Sequence, residues 1–148
     1  MTAVPLAHVV LDTNVTVSSL ISPHAPPGQV VDAALNGVLV PVISSGTMTE
    51  YCEVWFRPHF KKRYQMKSAA NLLRDLFDAA AIFHPARLPS GIHVPDPDDA
   101  VFYATALASR AAGNATYLVT GNLRHFPQEE FIVSPRAMLD IIGQGATA

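Results

Sequence analysis

Acidic side chains placed beside small polar ones are the residues of this chain best equipped for chemistry. Asp12-Thr13-Asn14 follows a short apolar run, and Ser44-Ser45 stands just ahead of Glu50. Asp96-Pro97-Asp98-Asp99 opens an alanine-rich stretch, and Thr120-Gly121-Asn122 ends another apolar run. Taken singly, each acid has an ordinary explanation. Asp12 suits an Asx turn or a helix cap, Asp98 and Asp99 suit the positive end of a helix, and Thr47-x-x-Glu50 fits a capping box. Taken together, carboxylates converging on one crevice repel one another, an arrangement tolerated where a cation neutralises them. An all-oxygen donor set suits magnesium or manganese better than zinc. Cys52 is the only cysteine, which excludes an internal disulfide and a zinc site built on several thiolates. The six histidines show no metal-ligand spacing.

Positioning those acids requires strands and helices, and the pattern alternates between them from end to end. His8 to Leu11 reads as a buried strand. Pro26-Pro27-Gly28 precede a helix over Gln29 to Leu35 that Asn36-Gly37 closes. Val38 to Ile43 reads as a second strand, and Ser44 to Trp55 as a helix with Met48, Tyr51, Cys52 and Trp55 on one face. Glu50 lies off that stripe. Lys67 to Ala81 is amphipathic, Ile82-Phe83 is a short strand, and Asp98 to Ala112 is a helix. Thr116 to Thr120 and Phe131 to Val133 complete the strands, and Ser134-Pro135 opens a last helix that Gly143 stops. Strands separated by helices predict one α/β domain over residues 1–148, with a parallel sheet covered on both faces. Ligands of such sheets bind at the carboxyl ends of the strands, where the polar residues collect.

The chain has 148 residues, 49% hydrophobic and 15% charged, a composition of folded globular proteins and a length for one domain. No apolar run reaches the roughly 18 residues that span a bilayer, and no basic residue precedes the first apolar stretch, so a soluble cytoplasmic protein is expected. Arg57, Lys61, Lys62, Arg63 and Lys67 fall in one acid-free segment; removing those five charges from a net of −2 leaves −7 elsewhere. A basic segment on an acidic body, with Tyr64 inside it, suits a local polyanion contact. A solvated helix face is the alternative.

Four segments in order carry a resemblance. Val9-Val10-Leu11-Asp12-Thr13-Asn14-Val15, the Ser44 to Tyr51 helix with Glu50, Asp96-Pro97-Asp98-Asp99, and Leu118-Val119-Thr120-Gly121-Asn122 together resemble the PIN domain, and most of all bacterial PIN toxins of toxin–antitoxin pairs related to VapC. The resemblance implies a three-layer α/β/α sandwich around a parallel sheet and a magnesium- or manganese-dependent ribonuclease. By motif position it makes Asp12, Glu50 and Asp99 the catalytic and metal-binding acids. Asn14 and Thr120 would orient them, with Asp96 in support. It also implies an antitoxin partner and a homodimer.

One position departs from the family. Many PIN domains place a fourth acid where Asn122 stands; its carbonyl oxygen is a neutral ligand, so one metal should be well held and a second held weakly. A PIN-like domain that binds RNA or a protein without cutting therefore stays open. Other enzyme classes fit poorly. A phosphotransferring aspartate enzyme needs a second aspartate where Asn14 stands and a late lysine, and residues 68–148 contain none. No glycine-rich dinucleotide or P-loop motif occurs.

Overall fold

Short runs of β-branched residues, each too brief for a helix, form the centre of the molecule. The computed structural model describes residues 4–57, 66–84, 88 and 91–147. In chain order the elements are β1 (Ala7–Leu11), α1 (Thr13–Ile21), α2 (Pro26–Leu35), β2 (Leu39–Ile43), α3 (Ser45–Trp55), α4 (Met66–Ala79) and β3 (Ala81–Ile82). They continue with α5 (Pro97–Ala111), β4 (Thr116–Val119), a 3-10 turn (Leu123–His125), β5 (Ile132–Val133) and α6 (Pro135–Thr147). The five strands form one sheet in the order β3-β2-β1-β4-β5, all pairs parallel.

Side chains alternate across that sheet with the strand's period of two. Val10, Val42 and Leu118 point to one face, where Tyr51, Trp55, Phe102 and Tyr103 of α3 and α5 cover them. Val9, Leu11, Leu39 and Val119 point to the other, covered by Val15, Val30, Val31 and Met138 of α1, α2 and α6. The result is a three-layer α/β/α sandwich. Pro41 lies inside β2, where proline cannot donate to a ladder. The Val38 carbonyl accepts from Leu6 on the β1 side, and the Ile43 carbonyl accepts from Phe83 on the β3 side. Pro41, in step with Ile43, turns its nitrogen toward β3, which is only two residues long.

Several boundaries differ from the sequence reading. Residues 13–21 form a helix that the sequence reading does not assign. Val15 and Val17 disfavour it, but Asp12 caps it and Val15 is buried under the sheet. α6 passes through Gly143 rather than stopping there. α2 begins at Pro26, α5 at Pro97, and Val38 lies outside β2. The capping box at α3 is formed by Ser44 and Thr47, not by Thr47 and Glu50. Among the described residues no helix is long and apolar enough to cross a membrane.

Candidate functional site

From β1 the chain crosses to β2 on one side, while β4 returns to the other side of β1. Their carboxyl ends therefore part between β1 and β4, which is where open parallel sheets bind ligands. Asp12 ends β1 and Thr120 ends β4. The Thr120 hydroxyl donates to Asp12 Oδ2 at 2.7 Å, the Thr13 N–H to Oδ1 at 2.8 Å, and the Asn14 amide to Oδ2 at 3.3 Å. Asp12 is 5% exposed. Burial pushes its carboxyl pKa up, against the opposing effects of the Thr120 and Thr13 hydrogen bonds and the nearby His125.

Asn14 also accepts from the Gly121 N–H at 3.1 Å, and the Asn122 N–H donates to the Thr120 hydroxyl at 3.0 Å. The two strand ends are thereby tied to each other through side chains. The Asn122 side chain is exposed and makes no hydrogen bond among the described residues.

α5 supplies the second group of acids. Asp96 caps it, its side chain accepting from the Asp98 N–H at 2.9 Å, and Pro97 occupies its first turn. Asp98 and Asp99 complement the positive helix end, and Arg110 the opposite end. Asp99 faces Asp12. Burial raises its pKa, and the charges of Asp12, Asp96 and Asp98 raise it further; His125 opposes them, with Nδ1 3.4 Å from Asp99 Oδ2. Pro95, Asp96, Pro97, Asp99 and His125 line an open hollow of about 460 Å³ there.

Glu50 comes from α3. The Ser44 and Thr105 hydroxyls bond at 2.9 Å, and a Cβ on Gly46 would lie 2.2 Å from Val101 Cγ2, so only glycine lets α3 approach α5 this closely. Glu50 then sits within hydrogen-bonding reach of Asp98. Burial, followed by the charges of Asp98 and Glu53, the Asp98 contact and the Asp96 charge, pushes its pKa up to about 7. Glu50 can therefore take up or release a proton near neutrality, the condition that suits general acid–base work.

These acids are linked through the start of α5: Asp99 feels the charges of Asp12, Asp96 and Asp98, and Glu50 those of Asp98, Glu53 and Asp96. Among the described residues no three His, Cys, Asp or Glu side chains are grouped to hold a metal ion. The oxygen donors of Asp12, Glu50 and Asp99 have the chemistry that suits magnesium or manganese.

Three participants are absent from the set that sequence reasoning selected. Asp98 is a partner of Glu50, and His125 faces Asp99. Tyr51 reads as core and is fully buried, yet its hydroxyl donates to the Leu11 carbonyl just before Asp12. Burial and the Asp12 charge push its own pKa upward. Tyr51→Phe is expected to cost about 1 kcal/mol by leaving that carbonyl without its partner, measurable by urea denaturation; an unchanged midpoint would mean the bond contributes nothing. Of the basic residues, Arg57 is exposed just beyond α3. Lys61, Lys62 and Arg63, with Tyr64, lie outside the described residues, as does the side chain of Lys67.

No curated protein matches this chain in sequence. A solved structure, PAE2754 from Pyrobaculum aerophilum, is similar to it with a TM-score of 0.59 at 13% identity, covering 94% of this chain and 91% of that one. That likeness is one of fold. The family model described as "PIN domain" matches residues 8–124, a span that runs from β1 to just before His125 and includes every acid of the cleft. On that match the chain belongs to the PIN domain family.

Proposed function

We propose that this PIN domain binds RNA and cleaves it weakly or not at all. The observation carrying this reading is that no three His, Cys, Asp or Glu side chains among the described residues are grouped to hold a metal ion. Asn122, exposed at the end of β4, adds no charge that would attract a cation. The basic run from Arg57 to Lys67 supplies phosphate contacts that carry affinity without sequence information, beginning at the end of the helix that holds Glu50.

A second reading is favoured by a specific observation. Asp12 is buried, held by three donors and paired with a second carboxylate, a costly arrangement that a divalent cation relieves. On that reading the protein is a magnesium- or manganese-dependent ribonuclease hydrolysing phosphodiester bonds. Asp12, Glu50 and Asp99 are its acids, Asn122 a further neutral metal ligand, and Asn14, Thr120 and Asp96 their supports. The family link also motivates a toxin role, with an antitoxin covering the cleft and a homodimer.

Labelled single-stranded and structured RNAs, incubated with the protein in manganese or in EDTA, separate the two. Binding that weakens steeply with salt in both conditions, with the RNA left intact, is the expected result. Cutting in manganese that EDTA and Asp99→Asn both abolish would establish the nuclease instead, and absence of RNA binding would end both readings. Copurification with a small neighbouring gene product and light scattering test the antitoxin and the dimer.

A further inference from the structure

The turn carrying His125 has a second side. His125 faces the acidic cleft, but Leu123, Arg124 and Phe126, its neighbours in sequence, line a separate cavity of about 660 Å³. That volume lies in the range of small-ligand sites, roughly 300–1,000 Å³. Buried Phe126 and Ile132 provide an apolar floor, and Leu123, 48% exposed, provides a wall. The polar residues Arg124, Gln128, Glu129 and Glu130 complete the lining. Glu129 is oriented from below, because the Tyr103 hydroxyl donates to its Oε1 at 3.1 Å while the Tyr103 ring is buried against Phe131. Arg124 makes no ion pair among the described residues.

We propose that this cavity receives one unpaired base of the bound RNA, and that it prefers guanine. The proposal rests on the RNA-binding reading. A flat ring with an apolar face fits the Phe126–Ile132 floor, as unpaired bases fit apolar protein surfaces. Carboxylates only accept hydrogen bonds when ionised. Guanine presents two adjacent donors, its ring N–H and its amino group, which match a carboxylate fork. Uracil presents one N–H between two carbonyl oxygens, and those oxygens meet the carboxylates unfavourably. Arg124, at the junction with the cleft, holds the phosphate that links this base to the nucleotide beside His125. Sequence preference then comes from the cavity, while the cleft and the basic segment bind backbone.

The test uses the full chain labelled with 15N and titrated with the four nucleoside 5′-monophosphates, alongside anisotropy with labelled G-rich and U-rich hexanucleotides. GMP is expected to shift the amides of residues 123–132 and to bind about tenfold more tightly than UMP, the ratio expected of one good bidentate pair. Glu129→Gln keeps an oxygen for Tyr103 but turns an acceptor into a donor, so the guanine preference is expected to fall below about threefold. Arg124→Ala is expected to weaken all four nucleotides alike and leave the preference intact. Equal affinity for the four, shifts confined to the surroundings of Asp12 and Asp99, or an unchanged preference in Glu129→Gln would overturn the proposal while RNA binding stands. Failure of every RNA to bind would remove the functional reading and the base site together.

Discussion

At pH 8 a Glu50→Gln/Asp99→Asn protein is expected to melt a few degrees above the wild type, and at pH 4 the two are expected to melt within about a degree of each other. Both carboxyls have pKa values raised by burial and by neighbouring acids, Glu50 to about 7. A carboxyl with a raised folded-state pKa holds its proton longer in the native state than in the unfolded chain. Stability therefore falls as pH rises from the ordinary carboxylate range through the folded pKa, and the full cost is present above it. For Glu50 that window runs from 4.5 to about 7. Both side chains are partly exposed, so solvent screening reduces the effect, and together they amount to roughly 1–2 kcal/mol. On the metal-dependent reading, millimolar magnesium raises the wild-type melting temperature at pH 8 more than that of the variant, because a ligand stabilises only the state that binds it. If the variant melts lower than the wild type at pH 8, the carboxylates are favourably ionised and mutual repulsion is not what governs the cleft.

Trp55→Ala is expected to lower the unfolding free energy by about 3–5 kcal/mol. Trp55 is fully buried at the end of α3, its ring 6.5 Å from that of Tyr51, which in turn lies 5.8 Å from Phe102 of α5. Deleting the indole leaves a cavity where α3 meets the sheet and α5. Urea denaturation with an unchanged slope and a large midpoint shift checks this. A loss under about 1 kcal/mol would show that α3 is secured elsewhere. Because Glu50 rides on the same helix, the variant is also expected to weaken the electrostatic coupling of Glu50 to Asp98, seen as a smaller pH dependence of stability.

The strands were legible because each is a short apolar run bounded by polar or turn residues, and parallel strands buried on both faces leave that trace. α1 was not legible. Val15, Thr16, Val17, Ser18 and Ser19 are poor helix formers locally, and what sustains the helix is non-local or conformation-dependent. Asp12 caps it, the Thr16 hydroxyl donates to the Thr13 carbonyl and that of Ser19 to Thr16, and Val15 is buried beneath the sheet. Gly143 failed as a stop because α6 continues to Gly145, which packs against Leu6. A glycine's preference for ending helices yields to such packing.

At the cleft, residue types were legible and the partner of Glu50 was not. Strand-end positions marked Asp12 and Thr120 correctly as neighbours, but which acid of Asp96, Asp98 and Asp99 meets Glu50 depends on how closely α3 approaches α5. That approach is set by Gly46 against Val101 and by Ser44 against Thr105, contacts between residues far apart in sequence. Tyr51 was hidden for a similar reason, since a buried aromatic reads as packing until its hydroxyl is seen on a carbonyl.

The Asn14 side chain, bonded at once to Asp12 and to the Gly121 backbone, makes one side of the crevice an anvil. The ends of β1 and β4 cannot part without breaking both of those links, so a ligand entering between them meets an edge that holds its shape.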